Sequence, residues 1–221
     1  MPIFKLGANE EFPPAELADE DGIIAIGGDL SSQRLLNAYA SGIFPWYNAN
    51  EPIIWWSPDP RLVLFTDELH ISKSMKKLLN RDEFTVTFNK SFEDVIRNCS
   101  LPRIYEKETW ISEDMIKAYT LLHKMGYAIS TEVWREDKLV GGLYGIGMGK
   151  CFFGESMFFL EKNASKYGMI KLTQKLLKSG ISFIDCQVKT EHLISLGARE
   201  IPRKEFLNLI KQHHSFNKLK I

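Results

Sequence analysis

Three hydrogen-bonding side chains interrupt stretches of sequence that are otherwise apolar. Glu155 lies in FFGESMFF, and Asp185 and Gln187 lie in FIDCQV. FIDCQV is typical of a strand, so residues 185 and 187 are expected to share one face. They suit either a solvent-facing polar side or a binding site. A buried carboxylate rarely lacks a partner, so Glu155 predicts either a structural ion pair or a site that awaits a cationic substrate.

A basic helix face is the second candidate for chemistry. The segment ELHISKSMKKLLNR predicts an amphipathic helix with Lys73, Lys76 and Lys77 on one side and apolar residues on the other. The chain as a whole has 28 basic and 28 acidic side chains and a net charge of zero, so it lacks the basic character of many nucleic-acid-binding proteins. Contact with RNA would therefore need a local patch such as this one, and the alternative is an ordinary solvated helix face.

Composition narrows the class of protein. The 221 residues are 44% hydrophobic and 25% charged, as in ordinary globular proteins. No apolar run reaches the roughly 18–20 residues that span a bilayer, and no secretory leader is visible. Cys99, Cys151 and Cys186 are scattered in apolar surroundings, and no Cys/His pair has the spacing of metal ligands. We expect a cytoplasmic monomer that uses no membrane, metal or cofactor.

The first sixty residues differ from the rest. Residues 1–60 are rich in Gly, Pro and Trp and contain one clear helix, SSQRLLNAYASG, with Ser31 or Ser32 as N-cap and Gly42 as its end. We predict a small irregular N-terminal domain over 1–60, with its boundary near Pro58–Pro60, and a second domain over 61–221.

Residues 61–221 alternate between strands and helices. The strand FTVTF leads into a helix that Ser91 and Asp94 should open as a capping pair, and another helix runs from Ser112 to about Met125. AISTEVWRE, LVGGLYGIGMG and KCFFGESMFFL then read as an antiparallel meander. A helix (SKYGMIKLTQKLLKSG), the strand SFIDCQV and two short helices follow. The order predicts an α+β fold and resembles the Gcn5-related N-acetyltransferase core, although a fold does not fix a function.

Several motifs in register go beyond this fold analogy. They are GGDLSSQRLLNAYASGIFPWY and WWSPDPR, then TEVWRE, LVGGLYG, FFGESMF and NASK, and finally FIDCQV and LGAREIPR. From about Ile23 to Leu207 the chain resembles the leucyl/phenylalanyl-tRNA–protein transferases, a bacterial enzyme family. The resemblance implies transfer of leucine or phenylalanine from aminoacyl-tRNA to proteins with N-terminal Arg or Lys, which marks them for degradation. Whether methionine is also a donor stays open.

The resemblance also implies roles for individual residues. It places the active site at Glu155, Asp185 and Gln187. Glu155 would hold the positive charge of the acceptor, on its α-ammonium or its basic side chain. Asp185 would orient the amine and Gln187 and accept or relay the proton. Gln187 would polarise and position, because a neutral amide has almost no proton affinity near pH 7.

Donor recognition needs aromatic faces for the terminal adenosine and an apolar pocket for the amino acid. Trp46 and Trp110 match the family's adenosine-contacting aromatics, with Tyr39 and Tyr119 as further candidates. Trp110 follows the polar segment IYEKET, whereas Trp55, Trp56 and Trp134 are expected in the core. Lys73 and Lys77 match positions that contact the acceptor stem. From sequence alone, the apolar residues around the helix after the meander would be ordinary core. The resemblance implies that five of them form the pocket for the amino-acid side chain: Leu143, Met169, Leu172, Leu176 and Ile184.

Two other readings compete with aminoacyl transfer. An acyl-CoA N-acetyltransferase would need a Gly-rich turn that holds pyrophosphate at a helix N-terminus, and NASKYGM offers one Gly and no Arg or Gln. Retention on immobilised coenzyme A would favour it nonetheless. A non-catalytic tRNA- or peptide-binding module would keep the aromatics and lysines but would have no use for Glu155 beside Asp185 and Gln187. An activity assay separates these classes.

Overall fold

The strands form two sheets. The computed structural model describes residues 3–7, 10–48, 50–102, 109–219 and 221. The first sheet has the order β1-β2-β4-β3, with β1 parallel to β2 and the other pairs antiparallel. Helix α1 (Ser32–Ala40) connects β2 to β3. The strands are β1 (Phe4–Leu6), β2 (Ile23–Gly27), β3 (Phe44–Pro45) and β4 (Ile54–Trp56).

The second sheet has seven strands in the order β11-β5-β10-β9-β8-β7-β6. Only β9 and β10 pair in parallel. The strands are β5 (Arg61–Phe65), β6 (Thr85–Phe88), β7 (Ala128–Arg135), β8 (Lys138–Met148), β9 (Cys151–Phe159), β10 (Phe183–Gln187) and β11 (Arg199–Ile201). The helices are α2 (Lys73–Asn80), α3 (Phe92–Cys99), α4 (Glu113–Lys124), α5 (Ala164–Lys178), α6 (Glu191–Ile194) and α7 (Arg203–His213).

The predicted α+β class and element order are confirmed. The meander β7-β8-β9, helix α5, strand β10 and the closing helices follow one another as in an acetyltransferase-like domain. The strands of the first sheet, β5 and β11 were not predicted. β5 is buried along nearly its whole length and shows no alternation, and the others are two to five residues long, too short for a periodic signal.

The predicted cap of α1 is confirmed at Ser31, whose Oγ accepts the N–H of Arg34 at 3.4 Å. The helix predicted from Ser112 is also capped there, because the Ser112 Oγ accepts the N–H of Met115 at 3.3 Å. The capping pair at the start of α3 is wrong. Ser91 occupies the N-cap position without a side-chain cap. Its own N–H donates to the Glu132 Oε1 at 3.4 Å, because that β7 carboxylate lies where Asp94 was expected to reach.

Apolar side chains form two clusters, one on each face of the large sheet. The first contains residues of α1, α3, α4 and α7 together with the small sheet, so both sheets share this core. The second contains residues of α2 and α5. The chain passes from one sheet to the other between Trp56 and Arg61, near the predicted boundary. The division into domains 1–60 and 61–221 stays a prediction. Among the described helices, none combines the length and apolarity needed to cross a bilayer.

Candidate active site

The large sheet opens between β9 and β10. The two strands pair only from Phe183–Asp185 to Cys151–Phe153, and no further pairs follow. At this point each strand carries one extra, unpaired residue: Glu155 in β9 relative to β8, and Cys186 in β10 relative to β5. Such bulges redirect side chains and are common beside active sites. The two bulges therefore turn the end of this strand pair into an opening that Glu155 faces.

A glycine in the neighbouring strand makes the β9 bulge possible. A β-carbon on Gly145 would lie 2.2 Å from the carbonyl oxygen of Phe153 and 2.7 Å from the Phe152 ring. Only a residue without a side chain allows β8 and β9 to approach this closely. Gly145, the first glycine of LYGIGMG, is thus one local cause of the position of Glu155.

Three neutral donors hold the Glu155 carboxylate. The Tyr39 hydroxyl donates to Oε1 at 2.8 Å, the Tyr119 hydroxyl to Oε2 at 3.0 Å, and the Gln187 amide to Oε1 at 3.2 Å. The two tyrosine hydroxyls also contact each other. No cationic side chain of a described residue pairs with Glu155. Glu155 as a whole residue is half-buried, and it lies where the two strands separate, so a cation could approach it through the opening.

The surroundings tune the acidity of this cluster. Burial raises the pKa of Glu155 from its usual 4.5 to about 8, against the opposing effect of the tyrosine hydrogen bonds, and the charge of Asp185 adds to the rise. Burial first, and then the charge of Glu155, raise the pKa of Tyr39 and of Tyr119 well above their ordinary value. The tyrosines therefore remain hydroxyl donors, while Glu155 exchanges protons near neutral pH.

Asp185 lies beneath the opening rather than in it. Its carboxylate is fully buried and accepts two hydrogen bonds from Arg61, 2.8 Å from Nε and 2.7 Å from Nη2. It also accepts the backbone N–H of Gln187 at 3.0 Å. Direct contact of Asp185 with an amine, expected from the sequence, would require this ion pair to open. What the geometry provides instead is a fixed support for residue 187.

The shared face predicted for Asp185 and Gln187 holds only in part, because the strand is not regular there. Cys186 is the bulged residue, and Gln187 has φ +63°, a left-handed conformation that is uncommon for a non-glycine residue. The Asp185 bond to the Gln187 backbone supports this conformation. As a result, Gln187 and Glu155 make direct contact.

Arg61 is the residue that the sequence analysis did not identify. Its guanidinium lies between the rings of Phe44 and Phe206, 4.7 and 4.5 Å from their centroids, and is 1% exposed. One nitrogen, Nη1, has no hydrogen-bond partner among the described residues. The available signal was an arginine that opens the apolar run RLVLF directly after WWSPDP. A cation in that position implies a buried anion nearby.

The four candidate adenosine-contacting aromatics fall into two groups. Trp46 is 41% exposed and Trp110 is half-buried, so both retain accessible ring surface. The segments that carry them approach each other, because the side chain of Tyr47 hydrogen-bonds that of Ser112. Residues 103–108, which include most of the IYEKET segment, lie outside the described residues.

Tyr39 and Tyr119 are fully buried. A base could stack on neither ring without displacing its neighbours, so their burial speaks against the stacking role. Their hydroxyls instead position Glu155. Of the tryptophans assigned to the core, Trp55 is fully buried, whereas Trp56 and Trp134 are half-buried. Trp56 donates to the backbone oxygen of Trp46 at 2.6 Å and so holds that residue in place.

The predicted amino-acid pocket is filled core in this structure. All five side chains belong to the cluster between the sheet and α5, none is more than 3% exposed, and this is the face opposite Glu155. An aminoacyl side chain could reach this cluster only by passing between β9 and β10. The pocket role stays a prediction for these residues: Leu143, Met169, Leu172, Leu176 and Ile184.

The basic helix forms as predicted. Met75 is buried on one side of α2, while Lys73, Lys76 and Lys77 are exposed on the other. Contact between Lys73 or Lys77 and RNA stays a prediction. Cys99, Cys151 and Cys186 form no disulfide with one another, and burial raises the pKa of the Cys186 thiol beside the opening. A thiol held protonated is a poor nucleophile.

Sequence comparison decides the family. Residues 63–211 match the family described as leucyl/phenylalanyl-tRNA protein transferase, and residues 28–59 match its N-terminal domain. A protein named leucyl/phenylalanyl-tRNA--protein transferase from Flavobacterium johnsoniae is 57% identical over 201 residues, which cover 90% of this chain and 95% of the relative. The chain belongs to the leucyl/phenylalanyl-tRNA protein transferase family. The predicted family assignment is therefore confirmed.

Further relatives agree with this family. The transferase of Syntrophobacter fumaroxidans is 52% identical over 96% of this chain and 92% of its own length. The transferase of Pseudomonas fluorescens is 55% identical over 92% of this chain and 91% of its own length. Among solved structures, L-PGS from Bacillus licheniformis is 13% identical with a TM-score of 0.44, over 89% of this chain and 62% of that one. The Gcn5-related N-acetyltransferase from Kribbella flavida is 8% identical with a TM-score of 0.39, over 74% of this chain and 58% of that one.

Proposed function

We propose that this chain transfers leucine or phenylalanine from aminoacyl-tRNA to the α-amino group of proteins with N-terminal Arg or Lys, in the cytoplasm, and so marks them for degradation. The family assignment supports the reaction type. The observation that supports the site is the Glu155 carboxylate, held by two tyrosine hydroxyls and one amide on a half-buried residue, and without a cation of the described chain. That arrangement suits an incoming ammonium group.

The acidity of Glu155 suits aminolysis of an ester. A free α-amine has a pKa of about 7.7–8.0 and must lose a proton before it attacks. The pKa of Glu155 is raised to about 8. The state with the proton on the acceptor amine and the state with the proton on Glu155 are therefore close in free energy. The proton can then pass from the acceptor to Glu155 at little cost. Tyr39 and Tyr119, which stay protonated, hold the carboxylate in both states.

The bond changes are those of acyl transfer. The neutral amine nitrogen attacks the ester carbonyl carbon, the C–N bond forms, and the C–O bond to the terminal ribose breaks. The ribose hydroxyl leaves with the proton that the attacking nitrogen gives up. Gln187 orients Glu155 through its amide. Asp185, bound to Arg61, acts through the backbone of Gln187 as a positioning residue. Because the ester is already activated, positioning supplies much of the rate.

Donor recognition uses separate surfaces. Trp46 and Trp110 keep ring surface for the terminal adenosine, and stacking contributes roughly 1–3 kcal/mol per base. Lys73 and Lys77 would bind phosphates of the acceptor stem. The amino-acid side chain would enter between β9 and β10 towards the apolar cluster beneath α5. Apolar fit distinguishes a methylene by only about 1–3 kcal/mol, so tolerance between leucine, phenylalanine and methionine is expected.

The direct test is transfer of labelled leucine from purified leucyl-tRNA to a synthetic peptide with N-terminal Arg or Lys. We expect labelled peptide, and none when the peptide's α-amine is acetylated. A peptide with N-terminal Asp should accept poorly, because two carboxylates would meet at Glu155. Absence of label with clean charged tRNA would refute the enzymatic function and leave a binding module as the remaining explanation.

A further inference from the structure

Two helices on one face of the protein carry an uncompensated positive charge. Helix α2 contains three lysines and α5 contains four, and neither contains an Asp or Glu. None of these seven lysines forms an ion pair with a described carboxylate. The whole chain has a net charge of zero, so this concentration of charge marks one surface as suited to an anionic partner.

Three of the α5 lysines form a stripe along a groove. Lys171, Lys175 and Lys178 lie at i, i+4 and i+7, on one side of the helix. They line a shallow groove between α5 and the outer strand β6, whose walls include Phe84, Phe88 and Tyr167. The Lys171 Nζ lies 5.4 Å from the Tyr167 ring and the Lys175 Nζ lies 5.9 Å from the Phe88 ring. The charged ends of these two lysines thus lie over aromatic rings in the groove walls.

The acidic residues near this groove are largely neutralised. Glu83 pairs with Arg81 at 3.4 Å and with Arg135 at 3.6 Å, and Arg135 also pairs with Glu161 at 2.6 Å. Asp82 is the carboxylate that lines the groove itself, at the end next to α2. The surroundings therefore leave the stripe with a net positive charge.

The stripe continues the basic surface of α2. Both helices pack in the apolar cluster on the same face of the sheet, and Asp82, just beyond the end of α2, borders the groove. β6 lies three strands from β9, roughly 14 Å at the usual strand spacing. Glu155 contacts Tyr39 and Tyr119 on the other face of the sheet. A ligand that reaches both the opening at Glu155 and this stripe would need to be large enough to bridge the two faces, elongated and regularly charged. An A-form RNA stem has these properties, and proteins bind it mainly through phosphates and shape.

We propose that Lys171, Lys175 and Lys178 bind backbone phosphates of the donor tRNA, as a second contact surface beside α2. This inference rests on the proposed function, because the donor is taken to be aminoacyl-tRNA. Of the three rings in the groove walls, Phe84 and Tyr167 are buried, and the half-buried ring of Phe88 lies beneath the Lys175 ammonium. The contact therefore concerns RNA shape and charge and is independent of tRNA sequence.

The test compares two matched double variants. K171E/K178E reverses two charges seven residues apart on α5, and K204E/K211E reverses two exposed lysines seven residues apart on α7. For K171E/K178E we expect the KM for leucyl-tRNA to rise about tenfold at 100 mM salt. The slope of log affinity against log salt should become shallower by about 1.5, because each lost phosphate contact removes about 0.7–0.9 from it. K204E/K211E should match the wild-type protein, and K171R/K178R should restore the wild-type slope.

A truncated donor separates binding from structure. Leucyl-adenosine has no stem, so K171E/K178E should use it with unchanged kcat/KM. Equal loss with both donors would show that α5 was damaged and would overturn the inference. A salt slope identical to that of the α7 control would also overturn the inference. A raised KM for the peptide acceptor with an unchanged KM for tRNA would overturn it as well and would assign the groove to an acidic protein partner. If the wild-type protein transfers nothing, the proposed function fails, yet binding of uncharged tRNA to the same variants still tests the surface.

Discussion

Two carboxylates on the same face of the large sheet, those of Glu132 and Glu155, have similar partners and different surroundings. Glu132 accepts hydrogen bonds from the hydroxyls of Thr87 (2.6 Å) and Ser130 (2.5 Å) and from the N–H of Ser91. Glu155 also accepts three, from two tyrosine hydroxyls and the Gln187 amide. In neither case does a cation of the described residues pair with the carboxylate. Hydrogen-bond number alone does not distinguish a structural carboxylate from a functional one.

Solvent exposure and the local backbone structure do distinguish Glu132 from Glu155. Glu132 is fully buried and lies at the N-terminus of α3, whose N–H groups favour a negative charge. Glu155 lies on a bulge where two strands separate, and it keeps part of its surface open. The protein therefore satisfies Glu132 completely from within and leaves Glu155 one face for a ligand. This contrast makes Glu132 the natural control for every experiment on Glu155.

The largest expected effect is on catalysis. Glu155→Gln should lower kcat/KM for leucyl transfer by about 10²–10⁴-fold, the range typical for loss of a group that handles a proton. The remaining oxygen could still accept from Tyr39 and Gln187, and the Tyr119 hydroxyl could accept from the new amide, so the fold should persist. Steady-state kinetics with a peptide acceptor measure the change. Glu132→Gln, the matched variant, should stay within about threefold of wild type. Equal losses in the two variants would break the distinction drawn here.

A third carboxylate, Asp185, sharpens the comparison because it does have a cation. Arg61→Met should lower the free energy of unfolding by about 3–5 kcal/mol, since it leaves a fully buried charge without its partner. Urea denaturation measures this loss. Adding Asp185→Asn to Arg61→Met should recover part of it, because the unpaired charge is removed. If Asp185→Asn alone abolished turnover with no loss of stability, Asp185 would be a proton acceptor, as the sequence suggested, and its structural role would be refuted.

Glu132 itself should matter for stability and not for chemistry. Glu132→Gln replaces one acceptor oxygen by an amide that faces donors, so one buried bond to Thr87, Ser130 or Ser91 is lost. We expect a decrease of about 1–3 kcal/mol in the free energy of unfolding, the usual cost of an unsatisfied buried group. Chemical denaturation at pH 7 measures it. Glu155→Gln should lower the free energy of unfolding by less than Glu132→Gln does, since the Glu155 carboxylate is already costly to bury. A larger loss for Glu155→Gln would contradict this account.

The family resemblance placed Glu155, Asp185 and Gln187 together, and the structure does bring Glu155 and Gln187 into contact; their catalytic roles stay predictions. The two bulges could not be predicted, because strand periodicity carries no sign of an inserted residue, and so the burial of Asp185 against Arg61 was not foreseen. Arg61 and Asp185 are 124 residues apart, and their contact depends on the pairing of β5 with β10. Periodicity identifies faces of elements and not which elements become neighbours.

The smallest effect concerns pH. The pKa of Glu155 is about 8 in the folded protein against a usual 4.5. Below pH 4.5 the carboxyl is protonated in both folded and unfolded chains. Between 4.5 and 8 the folded protein keeps the proton and the unfolded chain has lost it, so stability must fall as the pH rises, by at most about 1.4 kcal/mol per unit. Above pH 8 both states are ionised and the effect is constant.

The difference between two proteins isolates this effect. Wild-type and Glu155→Gln proteins are unfolded in urea at pH 6 and pH 7, and the wild-type protein should lose up to about 1.4 kcal/mol more over that unit. Glu132→Gln should keep the wild-type slope, because Glu155 is intact in it. A Glu155→Gln protein with an unchanged slope would mean that Glu155 is ionised throughout this range. An incoming ammonium would then be bound by a permanent charge, and Glu155 would have no part in removing its proton.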